Sequence, residues 1–129
     1  MIAYGEGFML TEADILEALK VCFDPELAVN IVDLGLVYGI TVVRDEAAPG
    51  VDPRFFVHVT MTMRAPSDER EAMLLGQVKN RLAGIYEVSR SQVDLVWEPA
   101  WTADRMNDAA RRQLGLDRPA KQGLVSIKL

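Results

Sequence analysis

"VTMTMRAPSDEREAM", residues 59–73, contains the junction on which the fold prediction depends. The preceding residues extend its first half to "FFVHVTMTM", residues 55–63. Alternate side chains of a strand point to opposite faces, so this stretch separates into two sets. The predicted core-facing set is apolar and comprises Phe55, Val57, Val59, Met61 and Met63. The stretch therefore predicts a strand with one buried face.

The second half of the quoted stretch predicts a helix over residues 68–83. Apolar residues recur at helical spacing, and a glycine follows as the end signal. The predicted stripe is Leu75, Val78 and Leu82, and Gly84 is the stop. Between strand and helix, "RAPSDE" (residues 64–69) is a junction of the kind that can hold a nucleophile, a phosphate or a metal. Asp68 is expected to cap the helix.

Toward the N-terminus, "TEADILEALKVCF" (residues 11–23) predicts another helix. Thr11 is its predicted N-cap, paired with Asp14 in an acidic version of the capping box. Its apolar face consists of Ile15, Ala18, Leu19 and Cys22. Next, "IVDLGLVYGITVV" (residues 31–43) predicts a strand, in which Gly35 and Gly39 indicate a bend, a bulge or close packing. A polar turn, residues 44–54, would join the two strands as a hairpin.

Toward the C-terminus, "SQVDLVW" (residues 91–97) predicts a third strand, and a helix capped by Thr102 would end at residues 114–115. This order predicts a two-layer α+β domain, with a three-stranded mixed sheet covered by helices on one face. We assign residues 1–10 to a leader, residues 11–115 to one domain, and residues 116–129 to a tail. The segment "GLVSIKL" in the tail predicts an added edge strand.

Composition argues against several classes of function. The chain has 129 residues, 19 acidic against 14 basic, and a formal net charge of −5. This balance argues against nucleic-acid binding, which needs lysine and arginine to displace counterions. The start "MIAYGEGFML" does not resemble a signal peptide, and no apolar run approaches a membrane span in length. We therefore expect a soluble cytoplasmic protein with no membrane partner.

Three acids flank the first helix–strand connection, in "DPEL" and "IVDLG". Asp24, Glu26 and Asp33 could bind a cation or dock a basic partner. Alternatively, aspartate before proline is an ordinary turn former, and a nearby glutamate can simply face water. The spacing alone favours this structural interpretation.

Cys22 and His58 are the only residues of their types. Cys22 lies on an apolar stripe and is predicted to be a small buried hydrophobe rather than a reactive thiol. His58 lies opposite the predicted core face and is expected at a surface or interface. One histidine does not assemble a convincing hydrolase triad.

Two tryptophans surround a proline in "VDLVWEPAWTADRM". They could form an aromatic contact site. The structural alternative is that Trp97 ends a core strand and Trp101 covers the hairpin where the last helix begins.

Together, "DPELAVNIVDLGLVYGI", "VTMTMRAP" and "VDLVWEPAWTADRMNDAARRQLG" resemble the PaaD-like, SufT-type family of metal–sulfur cluster assembly factors. The resemblance covers residues 11–115. It implies an α+β fold shared with iron–sulfur scaffold domains, and a non-enzymatic role in maturing iron–sulfur proteins. It also implies protein partners, either the assembly machinery or apo client proteins. A homodimer is left open. No stably bound cofactor is expected beyond transient iron or an iron–sulfur cluster.

Several residues match the family signature and form the expected functional surface. These are Asp24, Pro25, Glu26, Asp33, Leu34, Gly35, Thr62, Pro66, Trp97, Pro99, Trp101 and Arg111. To this set we add Asp68, because of where it stands. The family usually has threonine, proline, glycine, cysteine and proline at the strand-to-helix junction. Here Pro66 is kept, Ser67 replaces the glycine, Asp68 the cysteine and Glu69 the second proline.

Replacing the cysteine removes sulfur from a helix start, where a thiolate would be stabilised. A carboxylate is a hard ligand, suited to magnesium, calcium or manganese.

Three functional hypotheses follow from this substitution. The first is an adaptor that supports cluster delivery through protein contacts, without a thiolate ligand. The second is an oxygen-ligand metal site made by Asp24, Glu26, Asp33 and Asp68. The third is a subunit of a phenylacetate-type oxygenase pathway complex, although residues 117–129 lack that branch's cysteines.

Overall fold

The secondary-structure elements follow the predicted order. The computed structural model describes residues 7–116. Its elements are α1 (Glu12–Leu19), β1 (Val37–Arg44), β2 (Phe55–Met61), α2 (Asp68–Ala83), β3 (Val88–Leu95) and α3 (Asp108–Gln113), with a short 3₁₀ helix, Ala103–Arg105, before α3. The edge strand predicted at residues 123–129 lies outside the described residues, as does most of the tail.

The three strands form one mixed sheet in the order β1-β2-β3. β1 pairs with β2 antiparallel, and β2 pairs with β3 parallel. This confirms the predicted α+β class and the mixed sheet. Because β2 and β3 are parallel, their carboxyl ends meet at one edge of the sheet, and the antiparallel β1 begins at that same edge. The loops at this end carry the segments predicted to form the functional surface.

The core lies between the sheet and the helices. All five residues predicted for the core face of β2 and its extension are buried, from Phe55 to Met63. On α2 the buried residues are Leu74, Val78 and Leu82, whereas Leu75 is only partly buried. Leu75, predicted for the core stripe, does pack against the core, but the more deeply buried position is Leu74, one residue earlier. Residues four apart stay nearly in line on a helix, so 74, 78 and 82 share the inner face.

The start of α1 confirms its predicted capping box. Thr11 Oγ1 accepts a hydrogen bond from the Asp14 backbone N–H, and Asp14 Oδ2 accepts one from the Thr11 N–H. The helix ends earlier than predicted, at Leu19. The chain then turns, and the Cys22 N–H donates to the Leu19 carbonyl oxygen. Cys22 is still buried, as predicted, although it lies beyond the helix.

The first strand begins at Val37 rather than at residue 31. Residues 31–35 form turns instead, in which Gly35 has φ +79°. A bulge between Val37 and Gly39 shifts the register of β1 against β2. The two glycines were thus correctly predicted to mark irregular backbone, but β-branched composition alone extended the strand too far.

The C-terminal elements also differ from their predictions. β3 spans Val88–Leu95 rather than residues 91–97. The predicted single helix after Thr102 is two pieces, and Thr102 makes no side-chain capping bond. The N-cap of α3 is Asn107, whose Oδ1 accepts a hydrogen bond from the Ala110 N–H. A second capping side chain at position 107 explains why the helix starts later than Thr102 suggested.

Candidate functional site

The "DPEL" loop is organised by the carboxylate of Asp24. Its Oδ1 accepts hydrogen bonds from the backbone N–H groups of Glu26 at 2.8 Å and Leu27 at 3.0 Å. The Asp24 N–H donates to the Val29 carbonyl oxygen, which closes the loop. Aspartate commonly fixes a turn in this way, so the structural interpretation of Asp24 accounts for part of its role.

Arg64 connects this loop to the strand-to-helix junction. Its Nε donates to Asp24 Oδ2 at 2.7 Å, and its Nη2 donates to Asp24 Oδ1 at 3.0 Å. The same Nη2 donates to Glu26 Oε1 at 2.9 Å, and Arg70 Nη2 lies 2.7 Å from Glu26 Oε2. Two arginines and two carboxylates thus alternate in one network. Planar guanidinium groups suit this two-point binding of carboxylates.

The network sets the charge state of Asp24, whose side chain is only 8% exposed. Burial acts to raise the pKa of Asp24, but the hydrogen bonds from Arg64 and from two backbone N–H groups outweigh it. The pKa of Asp24 therefore lies below its ordinary value, and the carboxylate stays ionised. A small pocket beside it is lined by Asp24, Pro25, Met63, Arg64, Ala65, Arg70 and Leu74.

This arrangement does not support the oxygen-ligand metal hypothesis. Both Asp24 oxygens are bound by Arg64, and Glu26 is shared by two arginines. Within residues 7–116, no group of three or more histidine, cysteine, aspartate or glutamate side chains is placed to hold a metal ion. Asp24, Glu26, Asp33 and Asp68 are thus not brought together as a ligand set.

Asp33 instead joins the turn before β1 to the start of α3. Its Oδ2 accepts a hydrogen bond from Asn30 Nδ2, and its Oδ1 accepts one from Asn107 Nδ2, both at 2.8 Å. The Asn107 N–H also donates to the Asp33 carbonyl oxygen at 2.9 Å. Asn107 therefore caps α3 and fixes Asp33 at the same time.

The second tryptophan fastens the same turn. Trp101 Nε1 donates to the Leu34 carbonyl oxygen at 2.7 Å, and its ring packs against the core. Next to it, the backbone of Gly35 lies so close to Arg105 that a Cβ at position 35 would clash with the Arg105 carbonyl. Trp97, in contrast, lies beyond the end of β3 and is 41% exposed. The prediction that Trp97 ends a core strand was therefore wrong by two residues, whereas Trp101 packs against the core just before the 3₁₀ helix begins.

The junction "RAPSDE" starts α2 without a thiol. Ser67 is the N-cap, because its Oγ accepts a hydrogen bond from the Arg70 N–H at 3.3 Å. The prediction that Asp68 caps the helix was wrong by one residue. Asp68 is exposed in the first turn together with Glu69, where negative charge is favoured by the helix dipole.

The environment of Cys22 does not favour a reactive thiol. The thiol is 1% exposed within the core, and burial raises its pKa. A thiol in such a site resists the ionisation that nucleophilic attack or metal binding requires.

The remaining predicted residues fall into buried and surface positions. Thr62 is 1% exposed, so its side chain supports the loop from inside. Arg111 Nη2 donates to the Ala103 carbonyl oxygen at 3.3 Å, which links α3 to the 3₁₀ helix. His58 lies opposite the core face, as predicted, and its Nε2 is 2.6 Å from Asp94 Oδ2. This hydrogen bond holds the pKa of Asp94 below its ordinary value.

Two residues central to the site, Arg64 and Asn107, are not among those predicted from the sequence. Arg64 directly follows an apolar predicted strand, where a charged side chain needs a partner, and the sequence places acids in the predicted functional surface. Asn107 precedes "DAA", a helix-start signal that competes with the one at Thr102. Both signals were present, but which loops meet in space was not readable from spacing.

These features define an α+β domain whose loops at one sheet edge are joined by buried polar side chains and lack an exposed thiol among residues 7–116. The model of the family described as "Iron-sulfur cluster assembly protein" matches residues 12–95. The chain belongs to this family, which confirms the resemblance proposed from the sequence.

Individual relatives agree with this assignment. A "Fe-S protein maturation auxiliary factor" from Porphyromonas gingivalis is 36% identical over 84% of this chain and 94% of that protein. The factor named SufT from Staphylococcus aureus is 39% identical over 72% of this chain and 96% of its own length. The crystal structure of a domain of unknown function, DUF59, from Bacillus anthracis has a TM-score of 0.68 at 34% identity, covering 81% of this chain and 92% of that one. No helix among the described residues is long and apolar enough to cross a membrane.

Proposed function

We propose that this chain is a non-catalytic accessory or adaptor factor in iron–sulfur cluster assembly and in the maturation of iron–sulfur proteins. It acts in the cytoplasm through contacts with assembly components or apo client proteins. Family membership and relatives named as maturation auxiliary factors support this role. The loops at the carboxyl ends of β2 and β3, together with the "DPEL" loop, form the contact surface.

One observation carries the adaptor part of the proposal. Asp68 is exposed at the start of α2, where the family resemblance implies a cysteine, and the chain's sole thiol, Cys22, is in the core. A cluster or iron ion held by thiolate therefore has no exposed ligand from this chain in the described region. The protein therefore acts by contacting other proteins rather than by holding a cluster through a thiolate.

The buried members of the signature shape this surface rather than contacting a partner. Asp24 and Thr62 are 6% and 1% exposed, respectively. Glu26 and Pro66 on these loops, and Asp68 at the start of α2, are exposed and are available to a partner. The arginine network fixes the relative position of the two loops, which is what a preformed docking surface needs.

Anaerobic reconstitution with iron and sulfide tests the absence of a ligand. The wild-type protein is expected to show no stoichiometric cluster absorption after desalting, and Cys22→Ser is expected to behave identically. Asp68→Cys restores a thiol at a helix start and is expected to increase bound iron. A stoichiometric chromophore on the wild-type protein would contradict the thiolate-free mechanism.

Parallel affinity purification tests the partners. The chain and a thiol-bearing relative are tagged, expressed in the same cells, and their bound proteins compared. Both are expected to recover assembly components or iron–sulfur clients. If the relative recovers them and this chain recovers none, the adaptor proposal fails.

A further inference from the structure

An aromatic side chain is held at the surface beside the "DPEL" loop. The backbone N–H of Phe23 donates to Gln77 Oε1, and Gln77 Nε2 donates back to the Phe23 carbonyl oxygen, both at 3.0 Å. The side-chain amide of Gln77 thus fastens both backbone groups of Phe23 to α2. Phe23 nevertheless remains 43% exposed. A large apolar residue fixed outward in this way is poised for contact.

Met73 extends this apolar surface along α2. It precedes Gln77 by four residues, so the two lie next to each other on one helix face. Met73 is 51% exposed. Methionine adapts its shape to a partner and, like phenylalanine, is enriched in protein interfaces. We call Phe23 and Met73, together with Gln77, whose amide binds the Phe23 backbone, the Phe23–Met73 patch.

The patch is continuous with the surface already described. Phe23 immediately precedes Asp24, whose carboxylate binds Arg64. Arg70 lies one helical turn before Met73, and its guanidinium contacts Glu26. A partner that covers the patch would therefore also touch the exposed end of the arginine network.

The charge next to the patch is negative. Glu69 precedes Met73 by four residues on the same face of α2, and Asp68 adjoins it. Both acids are exposed, and neither forms an ion pair with another residue of the described range 7–116. The arginines beside them are neutralised by Asp24 and Glu26. The combination favours a partner that is apolar where it meets the patch and basic where it meets Glu69.

We propose that the Phe23–Met73 patch is the docking surface for an apolar and basic polypeptide segment of a partner protein. The proposal deepens the proposed adaptor function, on which the identity of the partner rests. Phe23 and Met73 supply the buried contact area, and Asp68 and Glu69 supply orientation and faster association.

Site-specific photo-crosslinking in cells that express the full chain tests this inference. A benzophenone amino acid replaces Met73 in one variant and Val51 in a matched control. Val51 is 96% exposed and lies in the turn between β1 and β2. Crosslinks from position 73 are expected in excess over those from position 51. The crosslinked partner segments, identified by mass spectrometry, are expected to be apolar with net positive charge.

A synthetic peptide of the crosslinked segment provides the quantitative arm. Phe23→Ser is expected to raise its Kd by about tenfold or more, as for a contact residue at the centre of an interface. Val51→Ser is expected to leave the Kd unchanged. Glu69→Gln is expected to slow association and to reduce its dependence on salt.

Several outcomes would contradict the proposal that the Phe23–Met73 patch is a docking surface. These are no excess of crosslinks at position 73, crosslinks to an acidic segment, and crosslinks mainly to a second copy of this chain. Failure of the proposed function looks different. If apolar, basic segments crosslink at position 73 but belong to no iron–sulfur or assembly protein, the patch stands and the proposed function falls. If such proteins copurify but do not crosslink there, the patch falls alone.

Discussion

Arg64 binds the carboxylate of Asp24 through two hydrogen bonds, across 40 positions of sequence. The pair joins the loop after α1 to the junction after β2, and each of these segments carries part of the family signature. The Asp24 side chain is 8% exposed and that of Arg64 is 21% exposed. Removing either partner would leave a poorly solvated charge with only part of its compensation, Glu26 for Arg64 or two backbone N–H groups for Asp24, which costs more than the loss of a surface pair.

Asp24→Asn is therefore expected to lower the free energy of unfolding by about 2–4 kcal/mol. The amide keeps the size of the side chain and can still accept a backbone hydrogen bond, but it no longer neutralises Arg64. Urea denaturation followed by circular dichroism measures the change. The matched control is Glu26→Gln, since the Glu26 side chain is 46% exposed and binds the same arginine. We expect it to cost at most about 1 kcal/mol. If both variants lost the same free energy of unfolding, burial of Asp24 would not be the reason for the greater cost.

The same pair makes stability depend on acid pH. The pKa of Asp24 is lower in the folded protein than in the unfolded chain. Its contribution is present in full above the unfolded value, about 3.9, and is lost as pH falls through the lower folded value. The difference in unfolding free energy between wild type and Asp24→Asn should be constant above about pH 5 and shrink below about pH 4. Taking the difference removes the effects of the other carboxylates. A difference that stays constant down to pH 3 would show that Asp24 does not titrate as described.

Local signals in the sequence were sufficient for most of the architecture. The alternation from Phe55 to Met63 determined which face of β2 is buried, because strand geometry leaves only two choices for each residue. The Thr11–Asp14 capping box was readable because it depends on residues only three apart. Family resemblance added the expectation that the signature segments act together.

The features that could not be predicted from the sequence depend mainly on contacts between residues far apart in the chain. Arg64 could have faced solvent, and only the fold brings Asp24 within 2.7 Å of it. The β-branched composition at residues 31–35 predicts a strand, because β-branched residues favour extended structure. Tertiary contacts from Asn107 and Trp101 override that preference. Capping was misassigned at both α2 and α3, where two adjacent or nearby polar residues competed for the N-cap position.

The helix cap at the junction gives a further prediction. Ser67→Ala removes the side-chain oxygen that accepts the Arg70 N–H, and it is expected to cost about 1 kcal/mol. Asp68→Ala removes only a favourable charge in the first turn and is expected to cost about 0.5 kcal/mol, decreasing with added salt. Urea denaturation at low and high salt separates the two contributions. If Asp68→Ala were the more destabilising variant, Asp68 would be the true cap.

The close approach of Gly35 to Arg105 predicts that the turn before β1 does not tolerate a side chain at position 35. Gly35 has φ +79°, and an added Cβ would meet the Arg105 carbonyl. Gly35→Ala therefore combines backbone strain with a steric clash and is expected to cost at least about 3 kcal/mol. Gly50 is the matched control, because its φ is +95° but nothing lies within 4 Å of an added Cβ. Gly50→Ala should cost only the strain, about 1–2 kcal/mol.

Fluorescence distinguishes local from global damage in these variants. In a Trp97→Phe background the emission reports Trp101, whose indole donates to the Leu34 carbonyl next to Gly35. Gly35→Ala is expected to shift this emission to longer wavelength before global unfolding, because moving the backbone at position 35 disturbs the hydrogen bond from the indole to the adjacent Leu34 carbonyl. Gly50→Ala should leave the emission unchanged. Equal destabilisation by both substitutions, with no change in emission, would mean that the turn and the 3₁₀ helix are not packed as closely as the structure has them.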